Sequence, residues 1–154
     1  MMKLFFRIWR TLPMWMHVLA IRMFRPKFRA AVAAIVFDEQ GRILLFKHTY
    51  RKLEWGIPAG GLEYNEQPDN AIVREFLEET GMQIKVDKLL LAESSKEDRN
   101  ISLIYLCKIV SGSFKESNEI SEMKYFDVND LPQMLSMEKN LIRWVVKEKQ
   151  NELA

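Results

Sequence analysis

The chain has 154 residues, 48% hydrophobic and 29% charged, which sets the expectation of one globular domain with a real core. Its single cysteine, Cys107, excludes an intrachain disulfide, gives no zinc site and fits a reducing compartment. The net charge of +2 hides an asymmetry: residues 1–29 carry seven basic residues and no acid, against 16 basic and 21 acidic residues in the remainder.

The basic arm, residues 1–28, comes first and stands apart from a domain expected over 29–154. Lys3, Arg7 and Arg10 recur at i, i+4 and i+7, with Phe5, Ile8, Trp9 and Leu12 on the opposite side, the pattern of an amphipathic helix. Pro13 is expected to interrupt or restart it. From Met14 to Phe24 the chain is apolar almost all round until Arg22, and the apolar run Leu12–Ile21 is only ten residues, too short to span a bilayer. Basic residues before a short apolar run suggest an export signal. But Arg22, Arg25, Lys27 and Arg29 follow, where a cleavage region is small and uncharged, so export is not expected.

From Ala30 the pattern becomes strand: AAVAAIVFD, a turn at Glu39-Gln40-Gly41, then RILLFKH. The first run is apolar on both faces, as in a central strand. A loop of basic and aromatic residues, Tyr50 to Trp55, leads to Gly56-Ile57-Pro58-Ala59-Gly60-Gly61. A helix is expected to begin near Pro68, a favoured first-turn residue, with Asp69 well placed for the dipole and Gly81 as the left-handed stop.

The stretch Gly60–Met82, GGLEYNEQPDNAIVREFLEETGM, holds five glutamates. Glu75, Glu78 and Glu79 stand at i, i+3 and i+4, which puts three carboxylates on one side of a helix. Three clustered anions weaken a helix, whereas a hard divalent cation takes oxygen ligands. The spacing resembles, without a mismatch, the Nudix hydrolase signature G-x5-E-x7-R-E-U-x-E-E-x-G-U, where U is bulky and apolar. Gly60 opens it, Glu66 follows, then Arg74, Glu75, Phe76, Glu78, Glu79, Gly81 and Met82.

Two strands are expected next, near Lys85–Glu93 and Ile101–Ile109, around a polar loop Ser94–Asn100. Cys107 lies in the second as a buried, inert thiol. Then come a strand near Met123–Phe126, a short helix around Asp130–Leu135 and a final helix near Glu138–Lys149. The pattern gives mixed α and β. The resemblance implies an α+β fold of the Nudix type, an α/β/α sandwich with a mixed sheet between helices.

The resemblance also implies chemistry. The ligands of Mg²⁺ (or Mn²⁺) would be Glu78 and Glu79, with Glu75 as a third and the Gly60 carbonyl as a fourth. Glu66 would act through water or by holding the loop, and Arg74 would orient a glutamate. The reaction would be hydrolysis of a diphosphate bond in a nucleoside diphosphate joined to another group X. The general base is left between a glutamate of the signature and the loop Lys115–Glu122, where Glu122 is preferred, Glu119 held in reserve and Glu116 also present. Pro58-Ala59-Gly60 resembles the Pro-Ala-Gly of ADP-ribose pyrophosphatases. Lys47, His48, Arg51 and Lys52 would meet phosphates or an RNA 5′ end, or line a solvated hairpin edge. Trp55 or Tyr50 would stack on a base or pack on the loop.

Two alternatives accompany this: a Nudix-fold module that senses a nucleotide without cleaving it, and an RNA 5′-end pyrophosphohydrolase. The arm falls outside the resemblance. It would pack on the domain, form a homodimer or lie on a membrane surface through its basic and aromatic residues; nucleic acid has little support without a reader motif. The expected location is cytoplasmic, with peripheral contact at the inner membrane surface left open.

Overall fold

Apolar side chains alternate between two cores along β1 (Arg29–Val36), as a period-2 strand with both faces covered requires. Val32, Ala34 and Val36 enter one core, while Ala33 and Ile35 enter the other. β2 (Ile43–His48) divides in the same way, with Leu44 and Phe46 on the first side and Ile43 and Leu45 on the second. The first core is closed by α2 (Pro68–Thr80) through Ala71, Ile72 and Phe76. The second is closed by α3 (Ser136–Glu152) through Ile142 and Val145. The result is an α/β/α sandwich in a computed structural model that describes Phe6 and residues 9–24, 27–95 and 99–152.

The remaining strands are β3 (Trp55–Gly56), β4 (Ala59–Gly61), β5 (Gln83–Ser95), β6 (Asn100–Ser111) and β7 (Ile120–Phe126). One sheet has the order β4-β1-β6-β5 and the other β3-β2-β7. β1 runs parallel to β6 and antiparallel to β4, so the first sheet is mixed. Register matters most at β4, where Ala33, Val32 and Ala31 pair with Ala59, Gly60 and Gly61. This anchors the glycine-rich segment to the central strand.

α2 starts and stops where its sequence requires. Pro68 takes the first turn, where no backbone N–H is needed. Gly81 adopts φ 70°, and its N–H donates to the Leu77 carbonyl.

Three expectations are corrected. The short helix at Asp130–Leu135 does not form. Instead the Asp127 side chain accepts from Asn129 N at 2.8 Å and its carbonyl from Asp130 N at 3.0 Å, a local turn that competes with winding. Pro132, with no N–H and with restrictions on Leu131, opposes a helix further on. Glu122 lies on β7 rather than in a loop, because pairing with β2 extends back to Ile120. Strands β5 and β6 also extend to Ser95 and from Asn100, which shortens the expected polar loop between them.

In the arm, residues 9–11 are helical and the chain breaks at Leu12 and Pro13. α1 (Met14–Phe24) then begins, and it buries none of its residues. His17 Nε2 donates to the Trp9 carbonyl at 2.7 Å, and the two rings stack with centroids 4.6 Å apart. The amphipathic pattern expected from Lys3, Phe5, Arg7 and Ile8 lies outside the described residues.

Candidate active site

Gly60 and Glu75 form the closest packing of the site. A Cβ on Gly60 would sit 2.2 Å from Cγ and Cδ of Glu75, so only glycine lets the helix side chain cross β4 here. Gly61 N donates to Glu75 Oε1 at 3.1 Å and fixes that carboxylate against the strand. Gly61 itself faces open space. The first glycine is therefore demanded by the carboxylate.

Arg74 gathers the neighbouring acids. Its Nε and Nη2 donate to the two oxygens of Glu66 at 2.8 and 2.9 Å, a bidentate fork. Nη2 also donates to the Gly61 carbonyl at 3.0 Å, and Nη1 lies 3.1 Å from both Glu75 Oε1 and Glu78 Oε2. These bonds raise the Arg74 pKa further, and the Glu66 carboxyl is held below its usual range by the same guanidinium. Glu66 Oε2 accepts as well from Glu63 N at 3.1 Å. The loop after β4 is thus tied to α2 through one arginine.

Glu79 is the acid that Arg74 does not reach. Its Oε2 is buried with no hydrogen-bond partner. Burial pushes its pKa up to about 7, with the charges of Glu75, Glu119 and Glu78 adding to the rise and Arg51 opposing it. A buried carboxylate among like charges is a group that a cation would stabilise. Among the described residues no three acidic, His or Cys side chains already converge as a ready metal cage, since Glu75 and Glu78 lean on Arg74. The donor chemistry fits a hard divalent ion: carboxylate oxygens, excess negative charge and one orphaned oxygen.

The downstream acids separate clearly. Thr49 N donates to the Glu119 carbonyl at 2.9 Å, and Thr49 Oγ1 to the Asn118 carbonyl at 2.8 Å. These bonds strap the loop to the end of β2, and the Glu119 charge acts on Glu79. Glu122 instead pairs across the sheet with Lys47, at 3.9 Å, and Lys47 also lies 3.6 Å from Glu54. Glu116 is exposed in the loop.

The family model for the NUDIX domain matches residues 27–145. The chain belongs to the Nudix family. It is similar to the ADP-ribose pyrophosphatase of Methanocaldococcus jannaschii, 30% identical over 136 residues, or 80% of each chain. A shorter match, 42% over 55 residues, links 36% of it to 32% of the RNA pyrophosphohydrolase of Saccharophagus degradans. The fold is shared with a NUDIX hydrolase from Nitrosomonas europaea, at TM-score 0.71 and 21% identity, covering 81% of this chain and 74% of that one. It is also shared with a UDP-X diphosphatase, at TM-score 0.70 and 21% identity, covering 90% and 73%. This Nudix protein is a pyrophosphatase-type hydrolase.

Of the basic loop in this Nudix chain, Arg51 alone reaches the glycine-rich segment. With Arg29, Ala30, Ala31, Ala59, Gly60, Gly61 and Asn100 it lines an open cleft of about 390 Å³. Lys52 is exposed and does not line it. Trp55 packs edge-on against Phe126, centroids 4.7 Å apart, and joins the second core.

Arg51 also has a partner that sequence reasoning missed. Its Nη1 lies 3.6 Å from Glu138 Oε1, and a Cβ on Gly56 would meet that nitrogen at 2.8 Å and Glu138 Oε2 at 3.1 Å. Glu138 Oε2 is buried and unpartnered, and burial pushes the carboxyl up to about 7 against the pull of Arg51. Nothing in sequence separated Glu138 from an ordinary first-turn acid of α3. His48 is buried with both ring nitrogens unpartnered, and burial with the nearby Arg51 lowers it to about 4, so it is neutral at pH 7. Cys107 is likewise inert, its thiol pushed up to about 12 by burial.

Proposed function

We propose that this protein hydrolyses the diphosphate bond of a nucleoside diphosphate linked to a second group X, with a divalent cation, Mg²⁺ or Mn²⁺, held by Glu75, Glu78 and Glu79 and by the Gly60 carbonyl. The observation that carries it is the orphaned, charge-crowded Glu79 carboxylate beside Glu75 and Glu78. When bound, the cation neutralises the diphosphate and lowers the pKa of a water it holds. Arg74 divides its donors among Glu66, Glu75 and Glu78, which keeps the carboxylates separated and aimed. Arg51, on the rim of the cleft beside Gly60, supplies positive charge for a phosphate.

The proton from the attacking water would go to Glu119 rather than to Glu122. Glu119 is the loop acid whose charge is felt at Glu79, whereas Glu122 is engaged with Lys47. A small nucleotide is favoured over an RNA end. Lys52 stands away from the cleft, and the Arg51 guanidinium is shared with Glu138. The similarity to an ADP-ribose pyrophosphatase and the shared fold with a UDP-X diphosphatase support the same substrate class.

The test is a panel of ADP-ribose, UDP-sugars, nucleoside triphosphates and 5′-triphosphorylated RNA, each with Mg²⁺ and with Mn²⁺. Release of nucleoside monophosphate and phosphorylated X from the first two groups is expected. Turnover of RNA alone would contradict the substrate class, and tight binding without any turnover would point to a nucleotide sensor.

A further inference from the structure

Helix α1 presents an unusual surface. It is 11 residues long and buries none of them. Met14, Trp15, Leu19, Ile21, Met23 and Phe24 are between 48% and 81% exposed, and they point around the whole circumference rather than along one stripe. His17 and Arg22 are the only polar side chains in the helix. Apolar surface of this extent needs a cover, and none of the described residues buries any residue of this helix.

The charge around the helix selects the cover. Residues 1–29 hold seven basic residues and no acid. Two copies meeting arm to arm would bring together two such sets of like charge, with no acid in either arm to offset them. A nucleic acid would suit the charge and leave the aromatic and aliphatic side chains in water. An anionic lipid surface satisfies both demands. Its phosphates meet Arg10 on one side of the apolar segment and Arg22 and Lys27 on the other, while the acyl region takes the apolar side chains between them.

Length fixes the mode of contact. Eleven residues make a helix of roughly 16 Å, about half of a hydrocarbon core of about 30 Å. Among the described residues no helix is long and apolar enough to cross a membrane. The break at Pro13 and the stacking of His17 on Trp9 fold the preceding turn back against α1, which suits a segment lying in one leaflet.

From these observations we infer that α1 and its flanking basic residues form a membrane-docking element that seats the catalytic domain on an anionic phospholipid surface. The element is independent of the catalytic residues, so its success or failure leaves the hydrolytic function untouched.

The test is co-sedimentation of the full chain with phosphatidylcholine vesicles, with and without phosphatidylglycerol, at low and high salt. A Trp15→Ser/Leu19→Ser variant is compared with wild type. Both positions are exposed, so the thermal midpoint and hydrolytic rate of the variant should equal those of wild type. Wild type is expected to partition onto phosphatidylglycerol vesicles about tenfold more strongly than the variant. High salt should release it, because the headgroup attraction is screened. Equal pelleting of the two proteins, or no pelleting of wild type with anionic vesicles, would overturn the inference. A wild-type dimer that the variant dissolves, with no vesicle binding, would assign the helix to self-association instead.

Discussion

Glu75 occupies the space that any side chain on Gly60 would need: its Cγ and Cδ lie 2.2 Å from where that Cβ would stand. The first glycine and the first glutamate of the helix are therefore one structural unit. Gly60→Ala must expel the Glu75 carboxylate from its bond to Gly61 N. The atoms in the way belong to one flexible, partly exposed side chain that can swing aside, so the cost is about 1 kcal/mol, the low end for overpacking. The expected outcome is a lowered thermal midpoint together with a large loss of hydrolysis. Gly60→Ala/Glu75→Ala should recover stability without recovering activity, since the clash is gone and the carboxylate with it. Wild-type activity in Gly60→Ala would show that Glu75 need not lie where it does.

Arg74 tests whether the fork matters as well as the charge. Arg74→Lys keeps one positive charge and loses the planar array that serves Glu66, Glu75, Glu78 and the Gly61 carbonyl together. Loss of charge-assisted bonds here should lower stability by about 1–3 kcal/mol, and misaimed carboxylates should lower kcat by roughly 10–100-fold. Urea unfolding and steady-state kinetics measure the two effects separately. An unchanged kcat with lowered stability would restrict Arg74 to holding the loop.

The two downstream acids give opposite expectations. Glu119→Gln should reduce kcat by about 10²-fold, as loss of a general base does. Glu122→Gln should leave kcat within a factor of about 3, since exposed ion pairs such as that with Lys47 contribute little. The reverse ranking would restore Glu122 as the base.

Much of this arrangement was legible in the sequence, for physical reasons. The continuous apolar run of β1 marks a strand covered on both faces, and Pro68 and Gly81 bracket α2 because their backbone preferences act locally. The spacing of Glu75, Glu78 and Glu79 places them on one helical side wherever the helix goes. Pairings between distant segments leave no such local trace. Glu122 carries no local sign of its strand, because that strand depends on β2, far away in sequence. Glu138 stayed unseen because its importance comes from Arg51 and from the missing Cβ of Gly56. The turn at Asp127 replaced an expected helix because a side-chain oxygen captured the amide of Asn129.

Glu138 makes stability depend on pH. Its carboxyl titrates near 4.5 when unfolded and is raised to about 7 in the fold by burial. Between those values the folded state binds the extra proton, so unfolding free energy falls as pH rises through this window. Glu138→Gln removes the charge whose burial is unfavourable. The variant should be more stable than wild type at pH 8 by about 1–3 kcal/mol and nearly equal to it at pH 4. Denaturant titrations at the two pH values check this. A variant less stable at pH 8 would mean that the Arg51 pairing outweighs the burial of the carboxylate.

On the proposed function, the carboxylates of α2 act through a divalent cation to cut a diphosphate bond. The most direct measurement is release of nucleoside monophosphate from ADP-ribose as Mg²⁺ or Mn²⁺ is titrated into wild type and into Glu78→Gln, with thermal unfolding of both followed in parallel. Positioning residues around metal sites cost roughly 10–100-fold when lost, so a ligand itself should cost on the order of 10²-fold or more. Wild type should be inactive with chelator and saturate with cation, while Glu78→Gln stays folded and loses turnover at every cation concentration. Hydrolysis by Glu78→Gln at the wild-type rate, or by wild type in excess chelator, would contradict the account.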